Sequence, residues 1–251
     1  MSVTAIILAG GRGTRIAELF PDIPKPLVPA AGQPFLYWVT SWLASQGIDD
    51  IVYSTGYRAG QIHDWVDALA PATSIRLRTR AEAAPLGTAG AVRECLDLCQ
   101  DTVLVVNGDS LTMTTIAPAL QALQDPTLDG AIMGTWADDT SRYGSLEVAD
   151  GLLRKFHEKI PGQGLINCGI SFFRKSWLES IPAGQMSSLE TDAIPRFLAG
   201  QARIAVIETA VVPPARQVAF LDIGTPQTVV QASAFIEAHH SLFPPLPKDN
   251  G

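Results

Sequence analysis

Residues 3–15 read Val3-Thr4-Ala5-Ile6-Ile7-Leu8-Ala9-Gly10-Gly11-Arg12-Gly13-Thr14-Arg15, and this stretch decides the fold. Its first half is an apolar run rich in β-branched residues, suited to a strand buried on both faces. The glycines at 10, 11 and 13 let the chain turn tightly and present backbone N–H groups to an anion, with no Cβ in the way. Arg12 and Arg15 add permanent positive charge, and guanidinium forks match phosphate oxygens. Ten residues later Lys25 stands between Pro24 and Pro26, so the backbone on both sides of this amine is restricted. Together these features form a grip for a polyphosphate. Leu8, Ala9, Gly10, Gly11, Arg12, Gly13 and Thr14 are the expected cradle, with Arg15 and Lys25 as its cations.

Two other phosphate loops are excluded. The Walker pattern needs Gly-Lys followed by Ser or Thr, and no such triplet occurs. The dinucleotide fingerprint needs a third glycine where Ile16 stands, and a carboxylate after the second strand. The run Ile51-Val52-Tyr53-Ser54-Thr55 ends without one. A nicotinamide or flavin enzyme is disfavoured.

Outward from the loop, helix and strand patterns alternate. Helices are expected at 35–44, 59–69 and 85–98, and strands at 51–54, 75–78 and 102–106, the last ending at Asn107-Gly108-Asp109. Such alternation predicts an α/β fold: a Rossmann-like, mostly parallel mixed sheet flanked by helices, with ligands at the carboxyl ends of its strands. From Asp129 the runs become shorter and more β-like, at 131–136, 144–148, 152–158 and 165–174, which predicts a smaller β-rich part. A last helix is expected at 227–239, before a Pro-rich end read as a flexible tail over 241–251. Residues 1–240 read as one domain.

Hydrophobic residues make up 47% and charged residues 17%, which excludes a disordered chain. A net charge of −7 argues against nucleic-acid binding, where a basic face is expected. No run approaches the roughly 18 apolar residues of a membrane helix, and no signal peptide is legible, so a cytoplasmic location is expected. Cys95, Cys99 and Cys168 give an odd count without a framework, read as reduced thiols.

The glycine loop and Pro24-Lys25-Pro26 resemble the signature of the sugar-1-phosphate nucleotidyltransferases, and the resemblance runs from Ile6 to about Ala232. Gly32-Gln33-Pro34-Phe35-Leu36, Ser54-Thr55-Gly56-Tyr57 and Asn107-Gly108-Asp109-Ser110 are most similar to the D-glycero-α-D-manno-heptose 1-phosphate guanylyltransferases. The resemblance implies a fold of the nucleotide-diphospho-sugar transferase type. Its N-terminal half would bind an NTP, here GTP, and residues 129–226 mainly a sugar 1-phosphate. A phosphate oxygen of the sugar would attack the α-phosphorus and pyrophosphate would leave, with no covalent intermediate. A thymidylyl- or uridylyltransferase acting on a hexose 1-phosphate is the alternative, and a catalytically inactive sensor of sugar nucleotides the reading from a different class. A homo-oligomer is left open.

Such chemistry calls for a hard divalent cation. The resemblance makes Asp109 a Mg²⁺ ligand beside Asn107, and Asp222 the second. No His/Cys cluster offers zinc a home. By resemblance, Pro85-Leu86-Gly87-Thr88-Ala89-Gly90 lies along the nucleobase, with Pro85, Gly87 and Thr88 as contacts. Glu82 can accept from the N1–H and 2-amino group of guanine. Tyr143 and Gly144 match a loop over the sugar, Glu158 and Asn167 contacts to its hydroxyls, and Lys159 a contact to its phosphate. His63, His157, His239 and His240 match no catalytic position.

Overall fold

A computed structural model describes residues 2–158, 160–209 and 218–248. Strand β1 (Val3–Leu8) leads through the glycine loop to a 3-10 turn, Lys25–Leu27, and a small ribbon, β2 (Pro29–Ala30) and β3 (Gln33–Pro34). Then follow α1 (Phe35–Ser45), β4 (Asp50–Thr55), α2 (Ala59–Leu69), β5 (Arg76–Ala81), α3 (Gly87–Glu94), β6 (Thr102–Asn107), β7 (Ser110–Thr112) and α4 (Ala117–Ala122). The β-rich stretch supplies β8 (Gly130–Ala137), β9 (Gly144–Ala149), β10 (Leu152–Glu158) and β11 (Gly164–Arg174). The chain continues with α5 (Lys175–Glu179), a π-helical turn (Leu189–Ala193), α6 (Ile194–Ala199), β12 (Ile204–Glu208), β13 (Phe220–Asp222) and α7 (Pro226–Ala238). No helix of the described residues is long and apolar enough to cross a membrane.

These elements form two compact units. One comprises Thr4–Pro85, Asn107–Met113 and Phe220–Gly251. Within it β5, β4 and β1 pair in parallel, with Ile6 opposite Val52 and Tyr53 opposite Thr79. Ile6, Ile7, Ile51, Val52 and Tyr53 are completely buried, as expected for strands covered on both faces. Helix α1 buries Phe35, Leu36, Trp38, Val39, Trp42 and Leu43, so its apolar residues cover more than one stripe. The Tyr53 hydroxyl bonds Thr40 at 2.9 Å, and burial pushes its ionisation far upward against that bond. Strand β5 runs three residues further than expected, because Arg76, Arg78 and Arg80 interrupt the apolar signal. Asp50 answers that charge, pairing with Arg78 and accepting from the Thr4 hydroxyl at 2.8 Å.

Helix α7 opens with a reciprocal cap between Thr225 and Thr228 and a proline at its first position. Thr225→Ala should cost about 1 kcal/mol of stability, read by denaturant unfolding. The end expected to be a flexible tail is docked as far as Pro247. Phe243 is buried edge-on against Trp38, Ser41 donates to the Pro244 carbonyl at 2.6 Å, and Ser74 N–H to that of Pro247 at 2.9 Å. The apolar Phe243 and Leu246 give the tail surface to bury, which its proline content hid.

The other unit holds Met1–Val3, Leu86–Val106 and Thr114–Ala219. Its strands run in the order β6-β11-β8-β12-β10-β9, mostly antiparallel, with β12 parallel to β8. Phe172, Phe173 and Phe197 fill its core, and Phe197 packs edge-on against both Phe173 and Trp177. The three cysteines are buried and unbridged. The helix expected over 85–98 stops at Glu94, where backbone bonds tighten to i−3 and a 3-10 turn, Leu96–Leu98, follows.

Candidate functional site

In the first unit, the ends of β1, β4 and β5 meet where the sequence placed its cradle. Ala9 N–H donates to the Ser54 carbonyl at 2.8 Å, Tyr57 N–H to Gly10 at 3.1 Å, and Glu82 N–H to Thr55 at 2.8 Å. The glycine loop is thereby stitched to the two loops beside it. Gly13 adopts φ +59°, and a Cβ there would stand 2.8 Å from the Lys25 Cβ. Only glycine lets the lysine stem pass so closely under the loop. A Cβ on Gly10 would meet a Glu82 carboxylate oxygen at 2.9 Å, so Glu82 lies directly against the cradle. Arg12, Thr14 and Arg15 are exposed, and no hydrogen bond or ion pair with the described residues holds either arginine. Pro85 is exposed at the end of the loop after β5.

Lys25 does not wait free in this loop. Its Nζ sits 2.5 Å from Asp109 Oδ2, with side chains 12% and 33% exposed. Asp109 comes from the turn after Asn107, which is fastened by Gly108 N–H donating to the Leu8 carbonyl at 3.0 Å. Ile223 N–H donates to the Asp109 carbonyl at 2.9 Å, and β7 pairs with β13 so that Ser110 stands opposite Asp222. The two aspartates expected as metal ligands therefore occupy neighbouring strand ends. Asp222 Oδ1 accepts from Gly224 N–H at 2.7 Å, which makes it also the turn residue leading into α7. The described residues contain no group of three or more His, Cys, Asp or Glu side chains that could hold a metal. Two hard carboxylates, Asp109 and Asp222, are donors of the kind that suits Mg²⁺.

The second unit holds the rest of the predicted set. Strand pairing puts Gly144 opposite Glu158 and Ser145 opposite Ile166, so Tyr143-Gly144, Glu158 and Asn167 gather at adjoining ends of β9, β10 and β11. Asn167 accepts from Gly169 N–H at 3.0 Å across a register shift in β11. Lys159 lies outside the described residues. Gly87 and Thr88 begin α3. Gly87 has φ +70°, and a Cβ there would fall 2.6 Å from the Ser187 carbonyl oxygen.

Three supports are not legible in the sequence. Thr140 is buried and donates its hydroxyl to the Ile160 carbonyl at 2.5 Å, while its own carbonyl accepts from Tyr143 N–H at 3.0 Å. It thus ties the loop after Glu158 to the loop before Gly144. The Arg58 guanidinium donates to the carbonyls of Asp22 at 2.6 Å and Pro21 at 2.8 Å, fastening the chain between the glycine loop and Lys25. Glu190 bonds the Thr88 hydroxyl at 3.0 Å. Each partner is distant in sequence, and no local spacing announces these pairs.

Comparison with known proteins identifies the family. The pattern of the Nucleotidyl transferase family matches residues 4–239. The chain is 30% identical over 225 residues to the D-glycero-alpha-D-manno-heptose 1-phosphate guanylyltransferase of Campylobacter jejuni, covering 89% of this chain and 95% of that one. It is 31% identical to the mannose-1-phosphate guanylyltransferase of Mycobacterium tuberculosis, covering 92% of this chain and 64% of that longer protein. The crystal structure of HddC from Yersinia pseudotuberculosis complexed with GMP-PN superposes with a TM-score of 0.78 at 32% identity, covering 92% and 98%. Its sequence pattern and fold show that the chain belongs to the nucleotidyl transferase family, as an enzyme that joins a nucleotidyl group to a sugar 1-phosphate.

Proposed function

We infer that this enzyme transfers a guanylyl group from Mg²⁺-bound GTP to D-glycero-α-D-manno-heptose 1-phosphate, releasing pyrophosphate and yielding a nucleotide sugar for surface-glycan synthesis. The observation that carries the reading is the Lys25–Asp109 pair beneath the glycine loop. One residue is suited to grip a triphosphate and the other to draw its cation, and they stand in contact before either arrives. Relatives matched along 95% and 93% of their length bear the heptose guanylyltransferase name, which supports this sugar and base.

In this reading the backbone from Leu8 to Thr14 cradles the triphosphate, and Arg15 and Lys25 stabilise charge on it. Asp109 and Asp222 would hold Mg²⁺, which when bound neutralises the phosphates and orients the α-phosphorus. Asn107 lines the same strand end, and Glu82 and the segment from Pro85 through Gly87 to Thr88 read the base. Tyr143, Gly144, Glu158 and Asn167 hold the sugar, and Lys159 its phosphate. The incoming phosphate is already anionic at neutral pH, so no strong general base is required.

A second reading, a hexose 1-phosphate as acceptor, is favoured by the similarity to the mannose-1-phosphate enzyme. Pyrophosphate release across the NTPs, including dTTP, and several sugar 1-phosphates separates the two. GTP with the heptose 1-phosphate should give the highest kcat/KM. A wild-type preference for dTTP or UTP would overturn the guanylyl reading.

Glu82 bears directly on the base. Guanine offers two adjacent donors to a carboxylate, whereas thymine and uracil present it with at least one carbonyl. Glu82→Gln should reduce discrimination for GTP over dTTP by about 1–3 kcal/mol. The ratio of kcat/KM values measures this, and an unchanged ratio removes Glu82 from base recognition.

A further inference from the structure

The turn that begins α3 is held by a segment some hundred residues away in sequence. Ser187 N–H donates to the Leu86 carbonyl at 2.8 Å, and the Ser187 carbonyl accepts from Ala89 N–H at 2.9 Å and Gly90 N–H at 3.3 Å. Leu189 N–H donates to the Thr88 hydroxyl oxygen at 2.7 Å, and that hydroxyl donates its one proton to Glu190 Oε2 at 3.0 Å. The same carboxylate oxygen accepts from the Ser188 hydroxyl at 2.8 Å. Ser188 Oγ in turn accepts from the amides of Glu190 and Thr191 and caps the π-helical turn.

This arrangement leaves a specific remainder. The Thr88 hydroxyl is fully committed, so it has no proton to offer a ligand. The Ala89 and Gly90 amides are spent on Ser187. The amides of Gly87 and Thr88, the first two of the helix, have no hydrogen bond to the described residues. Two adjacent amide donors at a helix start match a carbonyl oxygen on a base, such as the 6-oxo group of guanine, and repel no part of it. They oppose the 6-amino group of adenine, which offers only donors there.

We propose that Glu190 is the positioning residue of this base-reading turn. Through the Thr88 hydroxyl it fixes the Gly87 and Thr88 amides, and it thereby sets the preference for a 6-oxo over a 6-amino purine. The proposal rests on the base-binding role given above to the segment from Pro85 to Thr88. Glu190 acts through Thr88 and touches no substrate.

The test compares kcat/KM for GTP and ATP at saturating sugar 1-phosphate in wild type, Glu190→Ala, Glu190→Gln and Thr88→Val. Glu190→Ala should lower the GTP/ATP ratio about tenfold or more, chiefly by raising the KM for GTP. The KM for the sugar phosphate should stay within about twofold. Glu190→Gln keeps an acceptor oxygen toward Thr88 and Ser188, and it should restore the ratio to within about threefold of wild type. Thr88→Val should also lower the GTP/ATP ratio, and the two changes should be less than additive on that ratio in the double variant, because the Thr88–Glu190 bond is common to both. Ser187→Ala is the control: its buried hydroxyl has no hydrogen-bond partner among the described residues, so its loss should not lower the melting temperature and should leave the ratio unchanged. If Glu190→Ala melts early, Glu190→Gln and Thr88→Val carry the comparison. A GTP/ATP ratio preserved in Thr88→Val and Glu190→Ala overturns the positioning role. A wild type that does not distinguish GTP from ATP overturns the underlying base-site reading instead.

Discussion

Asp109→Asn should lower kcat about a thousandfold or more, close to abolishing Mg²⁺-dependent turnover. The amide preserves the shape of the side chain and removes the charge that draws the cation. It also strips Lys25 of its counterion, leaving the amine of a side chain only 12% exposed beside a neutral group. Two readouts separate these effects. Activity should not recover when Mg²⁺ is raised well above its normal requirement, and the melting temperature should fall only modestly, because the turn itself is fastened by the Gly108 and Ile223 amides. A variant that keeps its Mg²⁺ dependence and turnover would show that Asp109 merely partners the lysine.

Lys25→Ala should remove about 2–4 kcal/mol of transition-state stabilisation, one charge-assisted phosphate contact, seen as a loss in kcat/KM for NTP. From the loop alone, little packing role is expected of a lysine held between prolines. The structure corrects this, since the stem runs under Gly13 and the amine neutralises Asp109. Lys25→Ala should therefore also cost stability, about 1–3 kcal/mol, because the carboxylate loses its partner in a part-buried place. Combined with Asp109→Asn the stability losses should be less than additive, since each single change already leaves the other charge unpaired. Additive losses in a double-mutant cycle would deny the coupling.

The legible features were those written in consecutive residues. The glycine loop, Pro24-Lys25-Pro26 and the apolar run into Asn107-Gly108-Asp109 name their own conformations, because glycine, proline and β-branched residues restrict the backbone wherever they occur. The strands with continuous apolar or alternating runs, β4, β6, β9 and β10, appear where the pattern put them. Short elements did not announce themselves. Strands β7, β12 and β13 and helices α4, α5 and α6 span three to six residues, too few for a period to emerge. Strand β13 nonetheless matters, for its pairing with β7 brings Asp222 beside the Asp109 turn.

By itself, then, the sequence determined the chemical types and the local shapes: a glycine loop carrying two arginines, a lysine fixed between prolines, a carboxylate at the end of an apolar strand and an alternating α/β order. Tertiary structure decided which of them are partners. It set Lys25 on Asp109, laid Glu82 against Gly10, tied Thr88 to Glu190 and docked Phe243 on Trp38. The physical reason is the range of the information. A glycine or proline acts on its own dihedral angles, whereas an ion pair across 84 residues or a hydrogen bond across 102 exists only after strands have paired and brought distant segments together.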